Sequence, residues 1–150
     1  MVFIFVLLMK TSESRYSQCV YFSSAAFARK IEKLALESWK AVGLAPSYGY
    51  LLMCVIEEPG MQPGCLANQL QLQPSTITRL IEKLEDKKLV VRTTEGKVTN
   101  VYPTPKAKEM YSKLKDCVQH FHASCTGIIG ADESCKLVTI MNKMADKMVE

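Results

Sequence analysis

The feature that most constrains this fold lies between Pro63 and Pro103, where the chain reads PGCLANQLQLQPSTITRLIEKLEDKKLVVRTTEGKVTNVYP. Ile77, Leu80, Ile81 and Leu84 recur at i, i+3, i+4 and i+7, one face of a helix. Pro74 opens that helix at a position suited to proline. Just upstream, Leu66, Ala67 and Leu70 form the inward side of a shorter helix. Just downstream, the β-branched runs VVRTT and VTNVY flank Glu95-Gly96-Lys97, which reads as a short hairpin with Gly96 in its turn. Pro103 and Pro105 close it. Two short helices joined by a tight turn, followed by a twisted hairpin, describe a winged helix-turn-helix.

The rest of the chain is helical. Val20, Phe27, Ile31 and Leu34 mark a helix from about Ser17 to Val42, stopped by Gly43. A central, buried helix starts near Ser47, read as its N-cap, and ends at Pro59-Gly60. A long helix runs from about Thr104 to Cys125, and Gly127 and Gly130 break it. Asp132 caps a last helix with a stripe of Leu137, Ile140, Met141, Met144 and Met148. The expected fold is mainly α (α+β), a single domain over 1–150. Residues 44–105 form the winged module, and 10–43 and 106–150 supply flanking helices. Those flanking stripes need another apolar surface, and the economical one is a second copy of the chain, so they are read as dimerisation helices.

The helix opening at Pro74 has an unusual front. Ser75, Thr76 and Thr78 are mediocre helix formers, followed by Arg79. A helix that enters the major groove leads with its N-terminal residues, which must be small enough to approach base edges and polar enough to bond them. Arg79 has the reach for guanine or a phosphate. Charge follows the same region. From Pro74 to Lys106 seven basic residues face four acidic ones, a surplus of three out of a net charge of +4. Lys83, Lys87, Lys88, Arg92 and Lys97 are therefore read as backbone-positioning groups. Serines and threonines after proline also occur simply as turn formers, and lysines at a helix end suit its dipole. It is the neighbouring helix and hairpin that favour recognition.

The segments GLAPSYGYLLM, CLANQLQLQPSTITRLIEKLEDKKLV and YPTPKAKEMY resemble the MarR family of bacterial transcription regulators. The resemblance covers most of residues 43–111. It implies homodimers that bind pseudo-palindromic operators, usually as repressors, released by a small molecule or by cysteine oxidation. It places Ser75, Thr76, Thr78 and Arg79 in the major groove and makes the hairpin a wing. Family wings usually carry an Asp-x-Arg element whose arginine enters the minor groove. This hairpin has no arginine after Arg92, and Lys97 is the only cation at its tip. Lysine lacks the planar fork of arginine, so Lys97 is expected to contact phosphate at most.

Cys19 lies near Tyr16 and Tyr21, where some peroxide-sensing relatives carry a reactive cysteine. It is read either as a redox sensor, which requires an exposed thiolate, or as a small apolar residue in a dimer helix. Tyr16, Phe27, Trp39 and Tyr48 either line a pocket for an aromatic effector, as the resemblance implies, or are core aromatics. The run CVQHFHASC places Cys117 and His120 on one helical face, with His122 turned away and Cys125 two turns on. One helix thus offers two ligands where zinc takes four, or three plus water, so no metal and no cofactor is expected.

The six cysteines include no CxxC pair and fit free thiols in a reducing, cytoplasmic setting. The opening MVFIFVLLMK is too short to span a bilayer and makes a poor signal peptide. Either translation starts at Met9 or residues 1–8 form an apolar arm. The chain contains no GxGxxG, P-loop, HExxH or GxSxG run, so an enzyme is not expected. The expected partner is double-stranded DNA and not a membrane. The rival is a winged-helix interaction module whose basic face binds an acidic protein.

Overall fold

The structure, a computed structural model, describes residues 9–148; the reading of residues 1–8 lies outside them. The chain divides after Glu37 into two compact units. In the first, a short 3-10 turn at Thr11–Glu13 is closed by the Lys10 N–H donating to Glu13 Oε2 at 2.9 Å. Most of helix α1 (Val20–Trp39) follows, starting three residues later than its pattern suggested; its last two residues, Ser38 and Trp39, belong to the second unit. Its Val20, Tyr21, Phe27 and Leu36 are exposed.

The second unit holds α2 (Pro46–Glu57), α3 (Pro63–Leu70), α4 (Pro74–Asp86), strands β1 (Val90–Glu95) and β2 (Val98–Pro103), α5 (Pro105–Ile129) and α6 (Ala131–Lys147). Three of the sequence-based boundaries need correction. The N-cap of α2 is Ala45, not Ser47, because Pro46 takes the first helical position. Gly127 does not break α5, which runs on to Ile129; one glycine inside a long helix costs only about 1 kcal/mol. The cap of α6 is Gly130, whose φ of +86° breaks the helical path, and Asp132 sits in the first turn.

The core follows the periodicities. Leu51, Leu52 and Val55 of α2, Leu66 of α3 and Ile77, Leu80, Ile81 and Leu84 of α4 are buried together with Leu89, Val90 and Val101. Trp39, 1% exposed, packs closely against Gly49, and its ring centroid is 5.3 Å from that of Tyr50. β1 and β2 pair antiparallel from Val90↔Pro103 to Glu95↔Val98, leaving Gly96 and Lys97 as a two-residue turn. Gly96 has φ +61°, the left-handed conformation that such a turn favours. A bridge not visible in the sequence, Met61↔Val101, adds the α2–α3 link to the outer side of β2.

α5 is capped by Thr104, whose Oγ1 accepts from the Ala107 N–H at 3.3 Å. α6 buries none of its residues. Its Ile140, Met141 and Met144, with Met148 just beyond it, are all exposed, forming an apolar stripe left uncovered among the described residues.

Candidate nucleic-acid interface

Helices α3 and α4 meet through a turn whose geometry the sequence hid. Gln71 adopts φ +52°. The Leu72 N–H donates to Ala67 O at 3.0 Å and the Gln71 N–H to Asn68 O at 3.3 Å. This is the paired closure that ends a helix on a left-handed residue, a place glycine usually takes. Gln71 Nε2 also donates to Asn68 O at 2.8 Å, so the side chain braces the turn.

The turn delivers α4 with its apolar face inward and its front outward. Ser75, Thr78 and Arg79 are exposed and Thr76 is half-buried. The Gln73 N-cap makes no side-chain cap; its carbonyl accepts from the Thr76 and Ile77 N–H groups at 2.9 and 3.1 Å, and the helix N-terminus behind Pro74 favours an anion. Thr78 Oγ1 donates back to Pro74 O at 3.1 Å, and Arg79 Nε to Ser75 O at 3.4 Å. Both bonds are local and exposed, so both groups can exchange them for an external acceptor. Lys83 also lies on the outer side, 3.9 Å from Asp86, with both side chains largely in water.

Arg92 is not a free cation. Its Nη2 is 2.6 Å from Glu85 Oε2, and its backbone N–H donates to Glu85 Oε1 at 3.1 Å. The hydrogen bond between the guanidinium and the Glu85 carboxylate, more than the added coulombic attraction, pushes its guanidinium pKa further up. Glu85 thus ties the last turn of α4 to the first residues of the wing, and Arg92 works as an anchor. Periodicity gave no sign of this pair, because the contact joins a helix to a strand. Lys97 stands exposed at the wing tip, and the Thr94 and Thr99 hydroxyls, 3.2 Å apart, brace the two strands behind it.

The other singled-out residues are dispersed. Cys19 is exposed just before α1, and the Tyr16 and Phe22 rings lie 5.9 Å apart. Of the suggested pocket aromatics, Phe27 is exposed, Tyr48 half-buried and Trp39 packed inside the core. Cys117 is buried, and desolvation, with Asp116 nearby, raises its thiol pKa. His120 Nδ1 lies 3.3 Å from Ser38 Oγ. Among the described residues, no group of three or more His, Cys, Asp or Glu side chains could hold a metal ion.

Residues 48–95, which span α2, α3, α4 and β1, match the model of the MarR family. Over that stretch the chain is similar to the MarR family. The chain is 27% identical over 85 residues to the HTH-type transcriptional repressor MdtR of Bacillus subtilis (strain 168). That match takes in 57% of this chain and about half, 54%, of the relative. A transcriptional repressor, CouR, bound to p-coumaroyl-CoA superposes with a TM-score of 0.79 at 19% identity, over 92% of this chain and 97% of that one. A MarR-family regulator from Listeria monocytogenes complexed with 26-mer DNA superposes at 0.71 and 19% identity, over 86% and 88%. At such identities the likeness establishes a shared MarR-type winged-helix fold. Among the described residues no single helix is long and apolar enough to cross a membrane.

Proposed function

We propose that this chain is a sequence-specific DNA-binding transcription regulator without enzymatic activity. It acts as a cytoplasmic homodimer on a pseudo-palindromic operator, as a repressor released by a small-molecule or oxidative signal. The observation that carries the reading is the front of α4. A helix held by a braced turn presents Ser75, Thr78 and Arg79 outward while Ile77, Leu80, Ile81 and Leu84 fix its depth. Thr76 lies at the edge of that surface. A front of this kind reads base edges, while Lys83 and Lys97 meet phosphates. Arg92 positions the wing from Glu85. The Listeria relative, described as complexed with DNA, supports the same reading.

The exposed stripe of α6 supports a dimer, because apolar faces of this length are normally covered. Replacing Ile140 and Met144 together by Glu should convert the protein to monomer in sedimentation velocity; an unchanged dimer refutes that assignment.

The functional test is a fluorescence-anisotropy titration at fixed salt. It compares a duplex from just upstream of the gene with a scrambled duplex of equal length. Preference by ~10³-fold or more supports a specific regulator. Equal weak binding to that duplex and to duplexes selected from a random library refutes it and favours an acidic protein partner. Peroxide should release the wild type and leave Cys19→Ser bound if Cys19 is the oxidative trigger. Equal release of both proteins removes Cys19 from that role.

A further inference from the structure

At the rear of α4, away from its reading front, lies an open cleft of about 470 Å³. It belongs wholly to the second unit. Its apolar lining is Val42, Leu44, Leu89 and Met110, all aliphatic or thioether, with no aromatic ring among the lining residues. Around this lining stand the cations Lys87, Lys88 and Lys106, against one acid, Asp86, which already lies 3.9 Å from Lys83. An apolar floor beneath a surplus of ammonium groups suits a ligand with a tail and one negative head.

We propose that this cleft binds an aliphatic carboxylate, with the chain on Leu44, Leu89 and Met110 and the carboxylate between Lys88 and Lys106. Its volume falls in the range of small-molecule sites. Branched side chains and a methionine accommodate a flexible chain, and the absence of rings removes the stacking that would select an aromatic acid. Lys106 lines the cleft. Its Nζ donates to the neutral carbonyl of Lys87 at 3.2 Å. That bond already has a charged donor, and a carboxylate would add to it the attraction of a full opposite charge. Lys88 is held in place by the backbone, at φ +58°, through the Leu89 N–H donating to Leu84 O at 2.9 Å.

Binding has a consequence for α4. The Lys106–Lys87 bond joins the end of α4 to the first turn of α5, beside the bond from Thr104 Oγ1 to Lys88 O at 2.9 Å. A carboxylate that recruits Lys106 removes one of these ties and loosens the end of the helix. That it thereby weakens operator binding rests on the DNA-reading role proposed above; occupancy of the cleft does not.

The experiment is a titration of the full chain, followed by ¹H–¹⁵N correlation spectra, with octanoate below its micellar range. 1-Octanol and benzoate serve as comparison ligands, and the Lys88→Gln/Lys106→Gln double variant as control. Saturable shifts should cluster at Leu44, Leu89 and Met110. Octanoate should bind more tightly than either comparison ligand, and the double variant should bind it about tenfold more weakly or worse. Both lysines are exposed, so away from the junction of α4 and α5 the variant's spectrum should overlay that of the wild type. The proposal is overturned by shifts that map elsewhere, by equal octanol binding, by equal or tighter benzoate binding, or by an unchanged affinity in the double variant. Operator release by octanoate is measured separately by anisotropy, so a failure to find an operator leaves the ligand titration decisive.

Discussion

Gly49→Ala separates two opposed expectations. Gly49 lies inside α2, where alanine is favoured over glycine by about 1 kcal/mol, so propensity alone predicts stabilisation. The packing predicts the opposite. A Cβ built at Gly49 falls 1.8 Å from Cζ3 of Trp39 and 2.6 Å from two further ring carbons. Ordinary carbon contacts are about 3.5–4.0 Å, so the ring must retreat by roughly 1.7 Å. It has little room to do so, being 1% exposed and packed at a 50° tilt against Tyr50. Overpacking of this sort costs about 1–3 kcal/mol and sometimes more. After the helix gain, a net loss of about 2 kcal/mol is expected, from the upper part of that range. Trp39 is the only tryptophan in the chain, so its fluorescence reports the site during urea unfolding. A lower midpoint with a similar slope is predicted. An unchanged or higher midpoint would refute the close approach of Trp39 to α2.

Other substitutions test the interface. Gln71→Gly should raise stability by roughly 0.5–1 kcal/mol in the same urea assay, since φ +52° strains any side chain and glycine relieves it; a loss would show that the Gln71–Asn68 brace outweighs the strain. Lys97→Gln should lower the magnitude of the log K against log salt slope for DNA by about one, as for a single phosphate contact. Arg92→Gln should change that slope less and instead destabilise the protein by up to about 1 kcal/mol, a modest figure because the pair is partly exposed; a full unit of slope would make Arg92 a direct phosphate contact. With a thiol reagent near neutral pH, exposed Cys65 and Cys135 should react ahead of Cys54 and Cys117. Burial raises both of the latter thiols, helped at Cys54 by Glu57 and Glu58, so their thiolates form only at higher pH. Mass-resolved labelling in the reverse order would contradict those environments.

The parts of the fold written in short-range patterns were legible. The i, i+3, i+4, i+7 series at Ile77–Leu84 became the buried face of α4, and the Gly96 turn became the hairpin. Features made by non-local or backbone chemistry were not. Nothing in the spacing shows that Glu85 holds Arg92, because that bond depends on how β1 leaves the helix. Gln71 and Lys88 occupy left-handed positions that sequence rules assign to glycine or asparagine, so neither helix end announced itself. Gly127 sent the opposite signal, a break where the helix continues. That Ser75, Thr78 and Arg79 face outward followed from the same periodicity, while their chemistry stood out only beside the neighbouring helix and hairpin. The rear cleft was not legible, since Val42, Lys88 and Lys106 come from three separate segments.

The most direct test of the account compares wild type with the Ser75→Ala/Thr78→Ala/Arg79→Ala variant. Each is titrated by anisotropy at one salt concentration against a duplex selected from a random library and against its scrambled control. All three side chains are exposed, so the variant should fold. The account predicts a preference of ~10³-fold or more in the wild type, falling to near parity in the variant while weak binding to both duplexes remains. A variant that keeps the wild-type preference would show that sequence is read somewhere other than the front of α4.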